Sequence, residues 1–338
     1  SAPMLFGSLA AKCKSPILFI LQDTEEAGYF YHDLTQLLGT RRVLFFPSSY
    51  RRAIKYGQLE SASQILRTEV MTQIDKSVFI VTYPEALAEM VVPKQTLNER
   101  TVVIEKGQEV PVGNITKQLR ELGFNEVDYV YEPGQFALRG SILDVYSYSC
   151  EYPYRIDFFG DDVESVRTFQ VEDQLSLDAR DRVEIVPELE ADEAAQEPFL
   201  SLLPQDTIIA TKDYLYVRDA IDAAFQEDMP LVTGVQFMHQ AEGFRRIEFG
   251  HRASISDCSI IRFNITIQPL FHKNFEMLFQ AFDNYLHQGY QVYILADSAK
   301  QNERLKDIFA QRAENEGEHA QIRFTPVDKT LHEGFIDS

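Results

Sequence analysis

Residues 131–169 read YEPGQFALRGSILDVYSYSCEYPYRIDFFGDDVESVRTF and place Arg139, Arg155 and Arg167 among aromatics in a chain of net charge -20. Glu132-Pro133-Gly134-Gln135 has the chemistry of a turn, because proline presets φ at the second position and glycine accepts a positive φ at the third. The turn launches a strand, "QFALRG". Period-two alternation puts Phe136 and Leu138 on one face and Gln135, Ala137 and Arg139 on the other, and Gly140 allows a bulge or a close backbone approach. In "YRIDFFG", Ile156 and Phe158 supply a buried face. Arg155, Asp157 and Phe159 then share the opposite face, ahead of a turn at 160–162. An outward ring beside arginines on antiparallel strands is the composition of an interface hot spot. A solvated sheet face, with Arg155 paired to Asp157 or Glu164, accounts for the same pattern.

The sequence on either side changes period. Between about Ser15 and Val92 apolar runs alternate with helix-like segments. "SPILFIL", "RRVLFFP" and "SVFIVTYPEAL" read as buried strands, "DTEEAGYFYHDLTQLL" as a helix opened by Asp23 or Thr24, and "GQLESASQILRTEVMTQI" as a second helix. Such alternation argues for a parallel sheet covered by helices. One helix, "NITKQLRELGF", precedes the period-two strands of the middle block, and "VPELEADEAAQEP" reads as a linker or exposed crossover. The α/β pattern then resumes in "DTIIATKD", "SIIRFNITIQ", "NFEMLFQAFDNYLHQ", "YQVYILAD" and "SAKQNERLKDIFAQR". The expected division is an α/β lobe at 1–94, an antiparallel β-rich domain at 95–188 and a second α/β lobe at 189–338.

Several chemistries find no support. "GSLAAKCKS" has Gly7, but Lys12 stands where a phosphate-binding loop needs its second glycine, and Lys14-Ser15 precedes the first strand. Asp23 and Asp297 each end a strand as single acids, which suits helix capping better than water activation in an ATPase. The seven histidines form no H-E-x-x-H or i, i+4 pair. Asp157, Asp161, Asp162 and Glu164 have no calcium-loop spacing and read as a solvated turn. Cys13, Cys150 and Cys258 lie far apart with no CxxC pair, which fits a reducing cytoplasm rather than a disulfide framework or a zinc site. No apolar run approaches membrane-spanning length.

"EPGQFALRGSILDVY" followed by "PYRIDFFGDDVESVRTF" resembles the module shared by the nucleotide-excision-repair protein UvrB and the bacterial transcription-repair coupling factors (Mfd). Their pattern is close to E-P-G-E-F-A-x-R-G-G-I-L-D-V, then P-x-R-I-E/D-F-F-G-D-E-V-E-S-I-R; Gln135 and Ser141 depart from it. "FFPSSY", "FIVTYPEALAEMVVP", "GFNEVDYVYEPG" and "LHEGF" extend the likeness along most of the chain. "FFPSSYRRAIKYGQLE" passes at once into a helix, leaving little room for the DNA-clamping hairpin of UvrB. With the missing phosphate loop, this favours the N-terminal, UvrB-like region of the coupling factors.

The resemblance implies two P-loop-NTPase-like α/β lobes, degenerate and without a nucleotide site, with an antiparallel β-rich α+β domain inserted between them. It implies no cofactor in this region, and a motor using ATP and Mg further along a full chain from which "HEGFIDS" would end an excised fragment. The implied role is recruitment of UvrA in transcription-coupled repair, with RNA polymerase and DNA engaged by other domains. The implied UvrA-contacting residues are Arg139, Arg155 and Phe159, with Arg167 a fourth candidate. An active UvrB-like ATPase on damaged DNA, or a structural scaffold packing on the rest of a full-length chain, are the alternatives. Residues 101–185 carry 8 Lys and Arg against 17 Asp and Glu, a net of -9, so little duplex DNA binding is expected at physiological salt.

Overall fold

The computed structural model describes residues 2–10, 12–40, 42–49, 59–74, 76, 78–189, 196–224, 231–251, 253–256, 258–272, 274–316 and 324–338. It is mixed α/β, with ten helices and both parallel and antiparallel sheets among the described residues. The segment 50–58, on which the absence of a clamping hairpin was read, lies outside them, as does 190–195 of the expected linker.

The chain separates into two compact units. The larger comprises 15–27 and 43–256. Its five-stranded parallel sheet runs in the order β15 (Arg245–Glu248), β14 (Ile208–Thr211), β1 (Ile17–Ile20), β3 (Phe79–Thr82) and β2 (Val43–Phe45). β1, β3 and β14 are buried at every position, as continuous apolar runs in a helix-covered sheet require. Strands from before and after the middle block thus share one sheet. The expected lobes 1–94 and 189–338 are not segregated, because Ile17 pairs with Phe79 on one side and with Ile208 on the other.

Helices connect these strands. α2 (Thr24–Leu38) opens on Asp23, whose Oδ1 accepts the Glu26 amide at 2.9 Å. α3 (Leu59–Gln73), α4 (Pro84–Ala88), α7 (Tyr214–Ala223) and α8 (Gly234–Ala241) follow; Asp213 caps α7, and Thr233 with Gln236 forms a capping box on α8. The short strands β4 (Met90–Val91) and β13 (Glu197–Pro198) pair with each other.

The middle block enters through α5 (Lys94–Arg100) and β5 (Val102–Glu105), which pairs with β12 (Arg182–Ile185) on the way out. Between them lie α6 (Val112–Glu121) and a six-stranded sheet in the order β11 (Ser176–Arg180), β10 (Asp162–Phe169), β9 (Tyr154–Phe159), β8 (Ile142–Val145), β7 (Gln135–Arg139) and β6 (Asn125–Glu126). Its own core joins Ile115, Leu119, Phe136, Leu143, Ile156 and Val166. Gly134 takes φ 83 in the predicted turn, and Gly140 takes φ 63. Arg139 faces Ile142, so Gly140 serves a two-residue hairpin turn.

The smaller unit comprises 1–14, 28–42 and 257–338. Gly7 lies inside α1 (Ala2–Leu9). α9 (Phe275–His287) and α10 (Ala299–Glu316) accompany two ribbons, β16 (Ile265–Ile267) with β19 (Phe335–Asp337) and β17 (Tyr293–Leu295) with β18 (Thr325–Val327). Phe279 and Phe309 meet edge to face, with ring centroids 4.9 Å apart. Ser298 Oγ, rather than Asp297, accepts the Gln301 amide at the start of α10. Of "SIIRFNITIQ" only 265–267 is strand. Among the described residues no helix is long and apolar enough to cross a membrane.

Candidate functional site

The four arginine and phenylalanine candidates meet on one face of the six-stranded sheet, and the register explains how. Cross-strand pairing sets Ala137, Asp144, Arg155 and Arg167 side by side in one row across β7 to β10. The adjoining row is Arg139, Ile142 and Asp157. Arg155 and Arg167 are therefore directly opposite, an arrangement that repels unless acids intervene. Two do. Three arginines against two aspartates leave this cluster one positive charge inside a block that is strongly negative.

Arg155 is bound on almost every side. Its Nε donates to Asp144 Oδ1 at 2.7 Å and its Nη2 to Asp144 Oδ2 at 2.8 Å, a bidentate fork. Gln174 accepts two further bonds, through Oε1 at 2.9 Å and through its backbone oxygen at 3.3 Å. The guanidinium lies 4.2 Å from the ring centroid of the buried Phe169. The hydrogen bonds to Asp144 hold the guanidinium pKa above its ordinary value. Side-chain exposure is 12% for Arg155 and 1% for Asp144.

This corrects the sequence expectation of an outward Arg155, paired if at all with Asp157 or Glu164. Alternation along β9 assigns a face, but only the β8–β9 register shows that Asp144 sits opposite. Removing the arginine would strip the buried Asp144 of its bidentate partner and leave it only the single contact from Arg139, a loss of about 3 kcal/mol. Arg167 is the residue that pairs with Asp157, through Nη1, and its Nη1 also meets Ser165 Oγ at 2.9 Å.

Arg139 and Phe159 are different. Arg139 reaches Asp144 through Nη2 alone, and its guanidinium lies 4.6 Å from the Tyr129 ring centroid. Phe159, at the end of β9, is 77% exposed. An aromatic ring so exposed beside ordered arginines has the form of an anchor for a partner's pocket. Leu138, expected on the buried face with Phe136, is exposed near the hairpin end of β7, whereas Ala137 is fully buried beside Asp144.

Sequence reasoning missed Asp144, Gln174 and Phe169. The first had a visible signal, an acid inside the apolar run "ILDV". Nearby, burial pushes the Tyr146 and Tyr148 hydroxyls up to about 12. A separate cavity of about 440 Å³, lined among others by Arg100, Asn125, Tyr148 and Glu188, contains none of the predicted residues. No group of three or more His, Cys, Asp or Glu able to hold a metal occurs among the described residues.

Comparison with known proteins bears on this face directly. Residues 102–190 match the UvrB interaction domain. The chain is 30% identical to the transcription-repair-coupling factor of Bacillus subtilis (strain 168) over 193 residues, covering 55% of this chain and 16% of the relative. For the protein of that name from Escherichia coli (strain K12) the figures are 28% over 204 residues, 58% and 17%. For that of Haemophilus influenzae they are 32% over 173 residues, 50% and 15%. The matched chain thus spans roughly a sixth of the length of these relatives. The charged face with Phe159 lies inside the match to the UvrB interaction domain, and the chain carrying it is similar, over about half its length, to transcription-repair-coupling factors.

Proposed function

We propose that this chain is a non-catalytic, UvrB-like recruitment module that binds UvrA in transcription-coupled nucleotide excision repair. The observation that carries the reading is Phe159, 77% exposed at the end of β9 on the sheet face that carries the Arg139–Asp144–Arg155 cluster, within the stretch that matches the UvrB interaction domain. A ring on a rigid strand loses little entropy on docking, and Arg139 can meet an acidic or carbonyl acceptor at its rim. Arg167 supplies positive charge on the next strand, while Arg155 holds Arg139 in place through Asp144. In this reading the chain itself uses no nucleotide or metal. ATP with Mg, DNA and RNA polymerase are handled by other parts of a longer protein.

Titration of purified UvrA into the chain, followed by calorimetry, tests the proposal. Saturable binding with a negative heat-capacity change, as burial of an apolar anchor requires, is the expected result; no binding at tens of micromolar sinks it. Measurable ATP affinity or turnover by the chain would instead favour an active UvrB-like ATPase.

A further inference from the structure

We propose that the partner-binding face extends beyond the strands to Tyr129, whose ring and the Arg139 guanidinium form a single contact unit. The inference rests on the UvrA-binding reading above and adds a residue to it.

Tyr129 belongs to the segment between β6 and β7, and that segment is built rather than loose. The Val127 amide donates to the Phe136 oxygen at 2.9 Å, and Val130 is buried in the domain. Gln135 Oε1 accepts the amides of Tyr131 at 2.9 Å and Glu132 at 3.1 Å. The backbone on both sides of Tyr129 is thereby held, yet the residue is 49% exposed. A large ring presented on an ordered backbone gives contact area at small entropic cost.

The second observation is the state of Arg139. Arg155 spends its donors on Asp144 and Gln174. Arg139 gives only Nη2 to Asp144, and its Nε is buried with no hydrogen-bond partner. Unlike Arg155, it therefore has donors to spare. Its planar group is braced by Asp144 at one end and by the Tyr129 ring face at 4.6 Å. A partner acceptor meeting Arg139 touches the exposed edge of that ring as well.

The geometry fits one interface. Arg139 is two strands from Asp157, and Phe159 lies two residues further along β9. At strand spacings of about 4.8 Å and rises of about 3.4 Å per residue, the two anchors stand roughly 12 Å apart. That separation falls within one patch of ordinary size.

The test compares UvrA binding by the whole chain with that of Tyr129→Ala and Tyr129→Phe, each with a thermal melt. The expected result is about a tenfold loss of affinity for Tyr129→Ala, near wild-type affinity for Tyr129→Phe because the ring face is kept, and unchanged melting for both. Tyr129→Ala binding like the wild type overturns this inference and leaves the UvrA reading standing. So does a loss that only follows a lowered melting temperature, or one shared by Tyr129→Phe. A wild-type chain that fails to bind UvrA overturns the reading on which it rests, and the inference with it.

Discussion

In the parallel sheet, β1, β3 and β14 hide every side chain, whereas β9 in the six-stranded sheet, antiparallel to both its neighbours, hides Tyr154, Ile156 and Phe158 and turns Arg155, Asp157 and Phe159 to the other face. Both sheets belong to the same compact unit. A strand covered on two faces has no surface left for recognition, so its residues are chosen for volume and shape. A strand with one open face can hold a core and a site at once. The six-stranded sheet does this with a lattice of ion pairs, which keeps three arginines ordered without burying them all. Phe159 then stands on a stiff floor.

Substitutions sharpen the contrast. The largest effect is expected in the parallel sheet: Phe19→Ala removes a fully buried ring beside Phe79 and should cost about 4 kcal/mol of stability, read by denaturant unfolding. UvrA affinity, measured under conditions where the variant is folded, should not change. Arg155→Ala comes next, at about 3 kcal/mol of stability, because the buried Asp144 loses its bidentate partner and keeps only the single contact from Arg139. Its loss of UvrA binding should accompany a lowered melting temperature. If Arg155→Ala melts like the wild type, the ion pairs are not a structural floor and the two sheets are more alike than described. Phe159→Ala should do the reverse, weakening UvrA binding by about 2 kcal/mol with no change in melting.

The smallest effect is alkaline. Tyr146, whose hydroxyl donates to the Glu151 oxygen at 2.5 Å, and Tyr148 are both pushed up to about 12 by burial. The fold favours their protonated forms, so the stability they contribute is complete below the unfolded tyrosine value of about 10 and is lost as pH rises toward about 12. Denaturation curves between those values should show a falling slope that flattens in the double variant Tyr146→Phe, Tyr148→Phe. An unchanged slope would place the alkaline sensitivity elsewhere, Tyr214 beside the parallel sheet being the next candidate, since burial raises it too.

Much of this was legible in the residues. Apolar runs such as "ILFI" announced buried strands, Asp23 announced a helix start, and Pro133-Gly134 announced the turn before β7. Each signal is local, written within a few residues of its effect. The pairing of Ile17 with Ile208 is not local, and no periodicity discloses it. The same limit applied to the site. Alternation placed Arg155 and Phe159 on a common face, but whether that face was open depended on Asp144 from a neighbouring strand and Gln174 from a loop. Phe159 had no such neighbour, and its exposure followed directly from the pattern.

The pairing of β1 with β14 also sets an order of events during synthesis. Thr211, whose Oγ1 donates to the Ile20 oxygen, lies 191 residues further along the chain. At ribosomal rates of about 5–20 residues per second, roughly 10–40 s pass between the two. The whole six-stranded sheet, with its separate core, is made in that interval. The six-stranded sheet and its charged face can therefore be complete while one edge of β1 still waits for its partner.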